Sequence, residues 1–436
     1  MPDAHHSPQP PTASAPVPAA NAAPAAADRP AAPPAAPSTR HWELDALRGL
    51  MLVLMTITHL PTRLTSPLGQ PFGYVSAAEG FVLLSAYMAG LVYGRVGHRK
   101  GIDAMRSALL ARARKVYLCH VGMLVFLFTV IAFVGLRTHQ PAVQNLMYFY
   151  LQQPVAALAS SLLLVYQPSL LDILPMYVLF MLASPWVLSV GMRRGWRWPL
   201  AVSAAIWGVE QFFSLGGWLH ATAVRFTGLP VPLRDTGSFA TFAWQLLWMV
   251  GLWMGASRND PDARPFVFPR PVVWLAVAVA IGGMAWRHHV GQAPFLGDVQ
   301  RNLWFDKWLL GPLRLLDLLA LAIVTIRFGP AFARRIRRPR WLETMGAASL
   351  AVFCAHLVIV LLVLATLGSD PLRHPAWVDA VVLALCYGGL YLTARGMLWL
   401  DKQKTDDDQP PWPLSPSLAE PPAGSALASG PRTAAP

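Results

Sequence analysis

The chain has 436 residues, of which 55% are hydrophobic and only 13% charged, more apolar material than one soluble core buries, so lipid must solvate part of it. A net charge of +13 suggests nucleic acid at first sight, but the Arg and Lys residues fall in short runs between apolar segments, where membrane topology places them, and nucleic-acid binding is set aside. Cys119, Cys354 and Cys386 stand inside apolar stretches without CxxC spacing, so neither a disulfide framework nor a zinc site is encoded. They read as small packing residues, with a covalent acyl carrier as the weaker alternative because apolar burial blunts a thiol.

In chain order, residues 1–39 are almost entirely Ala, Pro and Ser with a few charges, a composition that cannot offset chain entropy by burial, and are expected to be disordered. They lack the charged start and continuous apolar stretch of a signal peptide, so the first spanning helix is expected to direct insertion. A polytopic membrane domain is expected over 40–400. A spanning helix needs about 20 mostly apolar residues. Such stretches fall at 44–61, 75–94, 116–136, 169–190 and 198–216, then at 238–256, 271–286, 307–327, 345–367 and 376–398. The expected fold is therefore an all-α integral membrane protein of about ten transmembrane helices. Residues 154–166, between Pro154 and Pro168, reach only about 20 Å and read as re-entrant or interfacial. Residues 401–436, with Asp406, Asp407 and Asp408 followed by Pro, Ser and Ala, are expected to form a second disordered tail.

Orientation follows from the loops. Arg95, Arg99, Lys100, Arg106, Arg112, Arg114 and Lys115, then Arg193, Arg194 and Arg197, then the Arg334–Arg340 run occupy one alternate set, which should face the cytoplasm. Both termini are then cytoplasmic. No internal repeat of the transporter kind is visible.

Ionisable groups inside spans cost a few kcal/mol on insertion scales, about 3 at a helix centre, and each is a functional candidate. Asp45, Arg48 and His59 lie in HWELDALRGLMLVLMTITHLPT. The step from Arg48 to His59 returns to within about 20° of one helix face and separates them by about 16 Å. Glu79, in SAAEGFVLLSAY, is placed by topology at the depth of His59, where a carboxylate would fix the imidazole tautomer of a general base. The plainer reading of the pair is a polar contact between helices. Arg112, Arg114 and Lys115 in LLARARKVYLCH suit the phosphates of a nucleotide-like donor, or are ordinary positive-inside charge. His356, midway along the ninth helix, either lines a substrate path or holds helices together. The roles of Asp172, Glu210, Asp306 and Asp317 are not separable from sequence. His288 and His289 lack a third ligand, so no metal is expected. Trp196, Trp198, Trp304 and Trp308 fit an aromatic belt.

The segments WELDALRGLMLVLMTITHLPT and QPFGYVSAAEGFVLLSAYMAGLVYGR resemble the OpgC-type proteins that modify osmoregulated periplasmic glucans, a branch of the acyltransferase-3 membrane superfamily. The resemblance runs over about 41–398. Arg48, ten residues and His59 meet its first-helix pattern, Glu79 to Ser85 its second-helix motif, Arg112 and Arg114 its basic third-helix start, and Gly346, Ser349 and His356 its late helix. YQPSLLDILPMYVLFMLASP at 166–185 is similar as well. One departure is Ala86, where the superfamily usually has Gly.

The resemblance implies a bacterial inner-membrane O-acyltransferase acting on periplasmic glucans, with succinyl as the group and succinyl-CoA as the cytoplasmic donor. Acyl-CoA is then a substrate, and no bound cofactor is expected. Membrane lipid and glucan-synthesis proteins are the implied partners. His59, oriented by Glu79, is expected to be catalytic; Arg48, Arg112 and Arg114 to hold the CoA end; His356, Ser85 and Asp45 to line the substrate path. The competing classes are a transporter that exports an acyl or glycan species and a scaffold for glucan synthesis.

Overall fold

The computed structural model describes residues 41–260 and 266–407. The disorder expected for 1–39, and for the tail from 408 onward, lies outside the described residues.

Helices account for nearly all regular structure in the described residues, joined by one isolated β-bridge between Phe72 and Val75. The main ones are α1 (Trp42–His59), α2 (Ala77–Lys100), α3 (Ile102–Thr138), α4 (Pro154–Leu162), α5 (Ile173–Arg194), α6 (Arg197–Phe212) and α7 (Leu215–Thr227). Then come α8 (Thr241–Ser257), α9 (Arg270–Val290), α10 (Pro312–Ala333), α11 (Arg340–Ala347), α12 (Ser349–Leu367) and α13 (Ala376–Asp407). Each of the ten apolar stretches falls on one of these helices. Seven of them, α2, α3, α5, α9, α10, α12 and α13, are long and apolar enough to cross a membrane, which makes this a multi-pass membrane protein. The other three fall short on different grounds: α6 and α8 have 16 and 17 residues, and α1 carries Glu43, Asp45 and Arg48 in its 18 residues. The α13 helix also continues through Asp407, past the boundary expected at 401.

The segment that was too short on paper is short in space. Its helix, α4, has nine residues, about 14 Å of rise, or half a bilayer. Ser160 and Ser161, in its last turn, are buried, and the Ser161 carbonyl lies 3.4 Å from His120 Nε2 of α3. A π-helical turn, Leu127–Ile131, interrupts α3 just beyond.

Small residues bring the site-bearing helices together. A Cβ on Gly49 of α1 would collide with the Leu342 carbonyl, and one on Gly346 of α11 with the Asp45 carbonyl, so α1 and α11 cross backbone to backbone as small-residue membrane interfaces do. The α2–α8 crossing is similar: Gly255 sits on the Tyr87 carbonyl and Gly90 on that of Leu252. Ala86, the departure noted above, is fully buried there and faces Gly251. The facing helix supplies the missing space, so the extra methyl group does not hold α2 away.

Candidate functional site

At the Arg48 end of α1, Arg48 lies 4.0 Å from Asp45 on its own helix and donates to the Ser349 hydroxyl at the start of α12. This clamps α1 to the turn that follows α11. Arg112 projects from α3 toward the same place. Arg48, Arg112, Ser85, Tyr177, Phe81 and Phe353 are among the residues lining a narrow open cleft. Its inner wall is closed by the stacked rings of Phe81 and Phe353, 5.8 Å apart. The buried Ser85 hydroxyl has no hydrogen-bond partner among the described residues. Arg114, expected alongside Arg112, is two residues on, about 200° round the helix; it is exposed and does not line the cleft.

Behind Phe353 lies a histidine pair. His59, the last residue of α1, presents Nδ1 at 3.2 Å to Nε2 of the fully buried His356 on α12, with the rings stacked at 5.5 Å. His356 Nδ1 lies 2.7 Å from the carbonyl of Phe353. A carbonyl can only accept, so His356 carries its proton on Nδ1 and offers a bare Nε2. His59 must then donate from its own Nδ1, which leaves the lone pair on His59 Nε2. The chain Phe353 carbonyl, His356, His59 thus fixes the tautomer of His59 as a carboxylate does in other sites.

Glu79 was expected in that orienting role and does not hold it. Its Oε2 is taken by the backbone N–H and hydroxyl of Ser76 in a capping box that starts α2. Its Oε1 accepts from Arg314 Nη1 at 3.2 Å, both side chains being fully buried. Arg314 also donates to the carbonyls of Tyr74 and Phe305. The reason is local satisfaction: partners three residues away and on the facing α10 occupy both carboxylate oxygens. The Ser-x-x-Glu spacing was a readable capping signature, and Arg314, in the apolar PLRLLDLL, was an intramembrane cation that the charge inventory overlooked.

The four carboxylates without an assigned role all accept backbone N–H groups: Asp172 from Ser238, Glu210 from Leu215, Asp306 from Leu309 and Asp317 from Tyr74. They tie down helix starts and loops. Arg63, after α1, pairs with Asp379 of α13 at 3.0 Å. Cys119 of α3 and Cys354 of α12 lie close enough to influence one another and are both free thiols. His288 lies 3.3 Å from the Pro71 carbonyl.

Lys307 also escaped the sequence reading. It precedes α10 and stands within electrostatic reach of His59, Glu79, Asp172 and Arg314. Burial pushes its ammonium below the usual lysine range, and the Glu79 carboxylate partly opposes this.

A family model described as OpgC protein matches residues 40–402. No curated protein and no solved structure matches the chain.

Proposed function

The chain belongs to the OpgC family, and from that premise we propose that it is a membrane-bound O-acyltransferase of the bacterial inner membrane. It moves an acyl group, succinyl by family resemblance, from a CoA thioester to hydroxyls of periplasmic glucans. The observation that carries this reading is the hydrogen-bonded chain from the Phe353 carbonyl through His356 to His59, set directly behind the wall of the Arg48–Arg112 cleft. The Arg-rich loops on its side of the chain support a cytoplasmic setting for the cleft and for both termini.

In this mechanism the guanidinium groups of Arg48 and Arg112 hold phosphate oxygens of the donor, and Ser85 offers its hydroxyl to the donor chain as it passes inward. His59 Nε2 takes the proton from a glucan hydroxyl, and the oxygen attacks the thioester carbonyl. The C–O bond forms as the carbonyl electrons move onto oxygen. They return as the C–S bond breaks, and the His59 imidazolium gives its proton to the departing thiolate. Protons balance without an external acid or base. The resulting positive charge on His59 is shared through Nδ1 with His356, whose own Nδ1 proton stays donated to the Phe353 carbonyl.

The deciding experiment is mass spectrometry of periplasmic glucans from cells lacking the protein, complemented with the unmodified chain or with His59→Ala. Acyl-ester mass restored only by the unmodified chain supports the reading and identifies the acyl group. A general base contributes about 10² to 10⁴-fold, so His59→Ala is expected to leave essentially no ester. Normal esters with well-expressed His59→Ala overturn the assignment of the base, and unchanged esters in every strain move the transporter reading to the front.

A further inference from the structure

Lys307 is held more firmly than a loop lysine needs to be. Donors from two helices seize the carbonyls that follow it: Trp207 Nε1 of α6 bonds the Leu310 carbonyl at 3.0 Å, and Gln211 Nε2 bonds that of Leu309 at 2.9 Å. Trp244 Nε1 of α8 and the Ala240 backbone N–H both bond the Trp308 carbonyl at 3.0 Å. Asp306 closes the turn from the other side by accepting the Leu309 N–H at 2.7 Å. These bonds hold Leu310 at φ 50°, a left-handed conformation that a leucine does not adopt without support.

The ammonium group is fixed by the same frame. It lies 4.7 Å from the Trp308 ring centroid and 6.0 Å from that of Phe239, and Phe239 packs edge-on against both Trp244 and Trp308. Two carboxylates are within electrostatic reach, but Glu79 is bonded to Ser76 and Arg314, and Asp172 to the Ser238 N–H. Among the described residues no carboxylate pairs directly with Lys307. Lys307 is half-buried, and an ammonium drawn partly out of water ordinarily takes a carboxylate partner. Here the cation rests on aromatic faces, which stabilise it without occupying its N–H groups, and it lies within electrostatic reach of His59.

We propose that Lys307 stabilises the negative charge that develops on the thioester carbonyl oxygen while His59 accepts the hydroxyl proton. The inference rests on the acyl-transfer reading above. A charge already fixed where negative charge will appear needs no reorganisation during the reaction, which is why such groups act on the rate more than on substrate binding. The strap of four hydrogen bonds supplies that fixity from helices that do not themselves carry His59 or His356.

The test uses the full chain purified in lipid discs, with succinyl-CoA as donor and glucan as acceptor, comparing the unmodified protein with Lys307→Met and Lys307→Arg. The expected result is a kcat lowered about 10² to 10³-fold in Lys307→Met, KM for both substrates and the Ki of CoA within about 2-fold, and partial recovery in Lys307→Arg. An unchanged kcat overturns the proposal. A loss confined to the KM of succinyl-CoA, with the Ki of CoA kept, also overturns it and makes Lys307 the partner of the donor's free carboxylate. A thermal unfolding midpoint that falls in step with the rate in both variants assigns Lys307 to structure instead. If the unmodified chain transfers nothing, the acyl-transfer reading fails with it; if it transfers and Lys307→Met matches it, only the assignment of Lys307 fails.

Discussion

The two ends of α1 both gather charged and polar groups and treat them differently. Around Arg48 and Arg112 the cations border an open cleft, and the hydroxyl of Ser85 on its wall has no partner among the described residues. Around His59 the charges are mostly enclosed: Glu79 is saturated by Ser76 and Arg314, Arg63 pairs with Asp379, and Asp317 accepts the Tyr74 N–H on Oδ2 while its Oδ1 has no hydrogen-bond partner among the described residues. At the first end Arg48 is tied to Asp45 and Ser349 yet borders the cleft together with Arg112, whereas the second end uses most of its charge to fasten helix starts. Among the described residues, Lys307, the outer nitrogen of His59 and Oδ1 of Asp317 stand apart from that fastening. An intramembrane charge is therefore a candidate for function only until its partners are counted, because a fully partnered group has no capacity left for a substrate.

That contrast can be broken at the enclosed end first. Arg314→Met leaves Glu79 buried without its counter-charge and is expected to cost about 3–5 kcal/mol, read as a sharply lowered unfolding midpoint in detergent. Adding Glu79→Gln should return part of that stability. A midpoint within a degree of the unmodified protein would mean that the pair is not a fastening. His356→Leu comes next: it removes the acceptor of the His59 Nδ1 proton, so the transfer rate should fall about 10 to 10²-fold while the unfolding midpoint holds. An unchanged rate would show that His59 needs no orienting partner.

At the open end the effects are smaller and act on binding. Arg112→Gln should raise the donor KM about tenfold with kcat nearly unchanged, the loss of one charged hydrogen bond to phosphate at a partly exposed site. Arg114→Gln, on the exposed side of α3, should change KM by less than about 2-fold. Equal effects from the two arginines would mean that the donor is bound by general positive charge and not by the cleft.

Sequence reasoning reached the helices because apolar length is a local property: all ten stretches lie on helices, and 154–162 is too short to span. It also put Arg48 and Arg112 at one end, with Arg114, and named Ser85, His59 and His356 as candidates without placing Ser85 beside the arginines. It paired His59 with the wrong group. Depth along two helices places residues at one level and does not say which way each side chain turns, and the nearby Ser76 took the carboxylate that depth alone had assigned to His59. His356 was set on a different part of the path because nothing in its spacing points at α1, 297 residues earlier in the chain.

The sequence by itself determined that the chain is helical and lipid-embedded and that its charges gather at the Arg48 end, since hydropathy and loop charge are read over consecutive residues. The tertiary structure decided which charges are spent. The Phe353 carbonyl fixes the proton on His356, His356 fixes the proton on His59, and Arg314 takes Glu79 out of the site. Hydrogen-bond capacity is finite, and who uses it is settled only when α1, α2, α10 and α12 are packed together.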